Sequence, residues 1–336
     1  MTKFIWTWLK VRKKPILLIV LLALLSGTAS VFVQKKEALN EQLARAERVE
    51  VWYENTKMEL VPGEVSEWNN YIGDMLSDLG LLRTFWSDPA ANADEIVDYE
   101  NAYYAKAIRD PDYCMRVLHE SAENVERKLD LAKAYEERGW KQPLNPIEPR
   151  ADYMVYSTSH SFSLWVLLVL GAACAIGTWI WAAMSESREY MLLFGLPYSK
   201  RQLFGALIIL GIGISMLFMF LQYGSAWLAG MMISGNAPLL VIENGKIAVC
   251  SQVALHNMVY PVLMCLCFSC LSALVGVWIR SVSDTLMVLV IVLMSAYFSF
   301  STIVWFSQMP IWIWSVSVLF AIMATGLAWR KFAYEA

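Results

Sequence analysis

Six runs of apolar residues, each about long enough to cross hydrocarbon, divide this chain and constrain its fold more than any other feature. A bilayer core about 30 Å thick takes about 20 mainly apolar residues per helix. Lipid offers the backbone no hydrogen-bond partner, so each span must satisfy its own N–H and C=O groups. The runs lie near 15–33, 162–184, 204–231, 256–279, 285–306 and 310–329. They predict an all-α membrane protein with six transmembrane helices. Composition agrees: 57% of the 336 residues are hydrophobic and 17% charged, with a mean hydropathy of +0.44, a balance foreign to soluble domains. Only Ser307 to Pro310 separate the last two runs, which predicts a tight helical hairpin.

The first run follows Lys10, Arg12, Lys13 and Lys14 and reaches small residues at Ser26 to Ser30, the outline of a secretory signal. It continues through Val31, Phe32 and Val33, and that length favours an uncleaved anchor. Phe4, Ile5, Trp6, Trp8 and Leu9, mixed with lysines, predict an interfacial helix ahead of it.

Charge is sharply segregated. Residues 34–158 carry 15 Lys+Arg and 25 Asp+Glu, a net of −10, whereas the remainder carries 12 and 5, a net of +7. Of those 12 basic residues, 11 fall in the N-terminal arm, the loop between the second and third spans, the loop holding Arg280, and the C-terminal tail. Six spans put all four segments on one side, which the positive-inside rule assigns to the cytosol. Lys246 is the exception. The expected organisation is an interfacial helix and first span over 1–33, an extracytoplasmic and mostly helical domain over 34–158, and five spans over 159–336. Both termini are expected in the cytoplasm of a cell-membrane, multi-pass protein.

Within 34–158, Leu39, Leu43, Ala46, Val49 and Tyr53 recur at three- and four-residue steps, predicting a helix that continues out of the first span until Val61-Pro62-Gly63. Further helices are expected over Val65–Trp86, Ala93–Ile108 and Tyr113–Arg138, the last stopped by Gly139. Pro143, Pro146 and Pro149 mark an extended return over 140–152. The aromatics of this domain, Trp52, Tyr103 and Trp140 among them, read either as a helical core with its rim or as a surface for an amphipathic or cationic ligand. Cys114 and Cys250 are the only cysteines of the outer segments, and an oxidising exterior would permit a disulfide between them. Cys265, Cys267 and Cys270 lie in an apolar run without His or carboxylate, which reads as packing and not as a metal site.

Enzyme signatures are missing from the sequence: there is no GxxxxGK[ST], HExxH, GxSxG or GxGxxG. Catalytic residues, a metal and a cofactor on this chain are therefore not expected, and the acidic domain argues against nucleic acid. Ionisable residues are also nearly absent from the spans, His256 and Asp284 standing at span ends. Energy for any transport would have to come from a partner.

The segment 185–203 offers a docking element for one. Glu186, Arg188 and Glu189 precede the apolar strip Met191 to Phe194; Gly195-Leu196-Pro197 breaks the chain; Tyr198 to Gln202 lead into the third span. Gly195 and Pro197 predict a short helix, a turn, and a new helix capped at Ser199. An amphipathic helix of this kind fits a groove on another protein, its charges setting register. Lys200 and Arg201 suffice to fix topology.

The pattern of Glu186 and Glu189, Leu192-Leu193 and Gly195-Leu196-Pro197-Tyr198-Ser199-Lys200-Arg201 resembles the first cytosolic loop of type-2 ATP-binding cassette (ABC) exporter permeases, although Tyr190-Met191 stands where that family often has Gly-Thr. Six spans, a basic cytosolic face and a large insertion between the first two spans extend the likeness. The resemblance implies a non-catalytic subunit that pairs with a second permease copy or paralogue in membrane lipid. It implies an ABC ATPase partner carrying ATP and Mg. Glu186, Arg188, Glu189, Leu192 and Leu193 would contact that ATPase, and Gly195, Leu196 and Pro197 would shape the coupling turn. The cargo expected is an amphipathic or hydrophobic peptide, lipid or drug moved outward. The alternative from another class is a membrane-anchored sensor or immunity protein whose outer domain binds a ligand.

Overall fold

The computed structural model describes residues 2–61, 66–159, 163–187, 198–243, 245–300 and 311–335. It is 83% helical, an all-α protein apart from one two-stranded hairpin. Among the described residues, five helices are long and apolar enough to cross a membrane. The helices are α1 (Thr2–Val11), α2 (Lys13–Met58), α3 (Glu67–Trp86), α4 (Ala93–Ala107), α5 (Ala122–Glu137), α6 (Ala151–Ser159), α7 (Leu164–Glu186), α8 (Lys200–Ser234), α9 (Cys250–Asn257), α10 (Val259–Ile279), α11 (Val282–Phe300) and α12 (Ile311–Glu335). The five candidates are α2, α7, α8, the stretch Cys250–Ile279 and Ser315–Tyr334; Val282–Phe298 is a shorter apolar helix. The fifth expected run, 285–306, is thus helical up to Phe300, and the expected hairpin at 307–310 lies outside the described residues.

The chain forms two compact units. The first comprises 1–32, 150–236 and 251–336, and the second comprises 33–149 and 237–250. The second unit thus joins a long segment ending at Pro149 to the distant segment 237–250.

In the first unit α10 packs along both α7 and α12, and α8 lies against α6, α7 and α10. Ile176, Ile180, Leu207, Ile214, Phe218 and Cys265 are part of its buried centre. Leu17, Leu21, Phe220, Val290, Leu319 and Ile322 lie on its exposed surface, as hydrocarbon contact requires. Helices approach most closely where a side chain is missing. A methyl group on Gly27 would lie 2.0 Å from Ser225 Oγ and 2.1 Å from the Gln222 carbonyl oxygen. One on Gly177 would meet Ser272 Cβ at 2.2 Å, and one on Gly276 would meet Trp181 Cβ at 2.7 Å. Gly205, Gly213 and Gly224 of α8 do not have this role, with nothing within 4 Å of the methyl group each would carry. Cys265 and Cys270 are buried in apolar clusters, and no metal-binding group occurs among the described residues.

The second unit is built on the C-terminal half of α2, against which α3, α4 and α5 contribute Ile72, Met75, Leu79, Ile96 and Val125. Val49 and Trp52 carry the packing from α2; Leu39 and Leu43, expected on that face, are exposed. Ser66 and Ser121 cap α3 and α5 by accepting from Asn69 N–H and Asn124 N–H at 3.2 and 3.3 Å. The expected helix Tyr113–Arg138 is divided. A turn at Pro111–Tyr113 runs into a π-helix, Cys114–Leu118, which His119 ends in the left-handed region at φ 55° before Ser121 restarts the chain as α5. At the centre Tyr113 Oη lies 2.7 Å from Thr56 Oγ1 and 2.9 Å from Tyr103 Oη, so three buried hydroxyls satisfy one another. Burial pushes the Tyr71, Tyr103, Tyr104 and Tyr113 hydroxyls above their ordinary pKa. Cys114 and Cys250 are both buried and not joined by a disulfide, and Cys114 Sγ donates to the Ala107 carbonyl.

The hairpin pairs β1 (Leu240–Glu243) with β2 (Lys246–Val249), Glu243 opposite Lys246, with Gly245 at φ 73° in the turn. Asn-Gly between alternating apolar residues is a strong hairpin signal and was present in the sequence. Tyr135 Oη accepts from Leu240 N–H at 2.7 Å, fastening β1 to α5.

Candidate functional site

The expected docking segment is bounded by two well-defined helix ends. Ser187 closes α7, its N–H and its Oγ both bonding the Ala183 carbonyl, at 3.0 and 2.8 Å. Ser199 opens α8 with a capping box: Gln202 N–H donates to Ser199 Oγ at 3.3 Å, and Ser199 N–H donates to Gln202 Oε1 at 3.1 Å. The cap expected at Ser199 is therefore present. Arg188, Glu189, Leu192, Leu193, Gly195, Leu196 and Pro197 lie outside the described residues. Lys200 and Arg201 are exposed on the first turn of α8.

Glu186 is already engaged. Its Oε2 accepts from the backbone N–H of Val282 at 3.1 Å, a carboxylate at the start of α11, where the helix dipole and the open N–H groups favour one. It thereby ties the end of α7 to the loop holding Arg280, which closes α10 in the left-handed region at φ 63°.

Around these ends the first unit gathers an aromatic and basic collar. Trp181 lies 5.3 Å from Phe204, and Phe204 lies 5.4 Å from both Trp329 and Phe332. Helix α1 joins through Trp8, 5.2 Å from Trp179, and through Phe4, edge-on to Tyr198 at 6.2 Å. Arg12 stands over both Trp8 and Trp179, at 5.1 and 5.6 Å, and Lys331 stands 5.4 Å over Trp278. The packed residues of α1, Phe4, Ile5, Trp8 and Leu9, are those expected of an interfacial helix, while Trp6 is exposed. Sequence reasoning missed Trp179, Trp181 and Phe204 as a group. The signal was available: Trp-x-Trp closes one apolar run and Phe opens the next.

The second unit holds a separate cavity of about 320 Å³. Trp52 and Tyr104 face it, with ring centroids 6.0 Å apart, and Pro143 and Pro146 wall it. Arg45, Arg48 and Lys128 also line it. Arg45 donates to Glu100 and to the Leu144 carbonyl, Arg48 pairs with Glu41 at 2.5 Å, and Lys128 donates to Glu120 at 2.6 Å.

Comparison with known proteins returned nothing: no protein-family model, no curated protein and no solved structure matches the chain.

Proposed function

We propose that this chain is the transmembrane subunit of an ABC exporter. It has six spans, both termini in the cytoplasm, and the acidic second unit on the outer side of a cell membrane. A separate ATPase, carrying ATP and Mg, docks on the segment 185–203, and two permease copies or paralogues pair in lipid. Closing of the ATPases on ATP draws the docking segments together and shifts the permease toward an outward-facing state, expelling an amphipathic or hydrophobic peptide, lipid or drug.

The observation that carries this reading is the way the ends of the segment are held. Glu186 and Ser199 both stand on helix ends, joined by aromatic packing to α1 and α12 and by a hydrogen bond to α11. A push on the intervening residues would therefore be felt by five helices instead of being dissipated in a loop. The likeness of residues 186–201 to the family's first cytosolic loop supplies the partner class.

Co-purification with a candidate ATPase tests it. Pro197→Ala and Glu189→Ala are expected to lower assembly or substrate-stimulated ATP hydrolysis severalfold; unchanged assembly and hydrolysis in both would reject the docking assignment. The second reading, a membrane-anchored sensor or immunity protein, draws on the cavity of the second unit and needs no ATPase. It is favoured if the chain retains its biological activity when every ATPase partner is removed.

A further inference from the structure

The cavity at Trp52 and Tyr104 has more basic than acidic residues in its lining, unlike the body that contains it. Segment 34–158 has a net charge of −10, yet the cavity is lined by Arg45, Arg48 and Lys128 against Glu41 and Glu100. Glu100 is buried at 4% exposure and already held by Arg45, so it adds no free negative charge. Lys128 is likewise held by Glu120, which leaves Arg48, paired with Glu41 at the rim, as the cation most open to a ligand. Glu41, Arg45, Arg48 and Trp52 follow one another at steps of four, three and four along α2, which sets a carboxylate, two guanidinium groups and an indole on one helix face.

We propose that this cavity binds a small amphipathic anion: a carboxylate joined to an aromatic or branched apolar body. Arg48 is the anchor for the carboxylate. Its guanidinium has five N–H donors in a fork that suits a carboxylate, more than Glu41 can accept. The Arg48–Glu41 pair is at the rim, with side chains 44% and 38% exposed, and such exposed pairs are weak. An incoming carboxylate can take the place of Glu41. Lys128, across the cavity on α5, is similarly exposed and is paired with Glu120. The apolar body rests on Trp52 and Tyr104, whose order is set by their mutual packing and by Tyr103. The fixed backbone of Pro143 and Pro146 keeps the opposite wall in place. A volume of about 320 Å³ is at the small end of ligand sites and admits a single amino-acid derivative or dipeptide, not a whole lipid. This inference does not depend on docking of an ATPase.

The test uses the full chain in detergent micelles and a pair of probes that differ only in charge, N-acetyl-4-fluorophenylalanine and its carboxamide, followed by fluorine NMR. The acid is expected to titrate saturably and the amide at least about tenfold more weakly. Arg48→Gln is expected to weaken the acid by a similar factor, and Arg48→Lys to restore part of the loss. Because Arg48 is partly exposed, the unfolding temperature of both variants should match the parent, and micelle partitioning of the probe is common to all. No saturable binding of the acid, equal titration of acid and amide, or unchanged binding of the acid in both Arg48→Gln and Lys128→Gln would overturn the assignment.

Discussion

Glu186 and Val282, 96 residues apart in sequence, are joined by a hydrogen bond from the Val282 N–H to Glu186 Oε2 at 3.1 Å. The carboxylate both ends one helix and stabilises the start of another, so charge and hydrogen bonding can be separated by mutation. Glu186→Gln keeps an acceptor and loses the attraction to the helix dipole, about 0.3–1 kcal/mol. Glu186→Ala loses both and should cost about 1 kcal/mol more. Thermal unfolding of the purified chain would rank parent, Gln and Ala in that order. If the docking role is also correct, both variants lower ATPase stimulation, Gln without comparable loss of stability.

The helix contacts at Gly27, Gly177 and Gly276 leave no room for a methyl group. Ala at any of them forces backbones apart, at a cost of about 1–3 kcal/mol. Gly205→Ala and Gly213→Ala, in helix interiors with open space, should be neutral or stabilise by up to about 1 kcal/mol. Unfolding temperatures of the five variants check the contrast; equal effects would reject the packing.

In the second unit, removing one hydroxyl from the Thr56–Tyr113–Tyr103 chain strands its neighbours. Tyr113→Phe should cost about 1–3 kcal/mol, read as a lower unfolding temperature of this unit.

The buried tyrosines also predict an alkaline limit. Desolvation raises the pKa of Tyr103, Tyr104 and Tyr113 in the folded state, whereas the unfolded chain ionises near the ordinary value of about 10. Their contribution to stability is complete below that value. It is lost as pH rises further, because only the unfolded state releases the protons. The share of tyrosinate absorbance due to these three side chains should therefore appear together with unfolding and not before it.

Cys114 is buried, and desolvation raises its pKa, so little thiolate is present near neutrality. A maleimide should leave Cys114 unmodified in the folded chain and label it after denaturation. Dithiothreitol should not shift the unfolding temperature, since Cys114 and Cys250 are not joined.

Five of the apolar runs, the Ser199 cap, the helix ahead of the first run and the stop at Gly139 were legible because each rests on local chemistry: hydrophobic length, a hydroxyl before a helix, amphipathic spacing, a residue that accepts positive φ. The break at His119 was not, because Tyr113–Arg138 carries continuous helical spacing and the interruption uses His in a conformation that glycine normally supplies. The close contacts at Gly27, Gly177 and Gly276 were not legible, because close approach depends on what faces each glycine from another helix. The same reason hid the cavity: one wall, Glu41 to Trp52, could be read along α2, but the other comes from residues about 90 positions away. Of the docking segment, the two ends are defined, and residues 188–197 lie outside the described portion.

The bond between Tyr135 and Leu240 gives the second unit a timetable during synthesis. Its main segment ends at Pro149, yet the hairpin that completes it is finished only at Cys250. Two long apolar helices, α7 and α8, must be made in between. At about 5–20 residues per second, the ribosome takes roughly 5–20 seconds to cover that interval. Throughout it the α2–α5 body is without its final strand pair, so the newborn chain passes through an obligatory unfinished stage that ends only when the distant hairpin has been made.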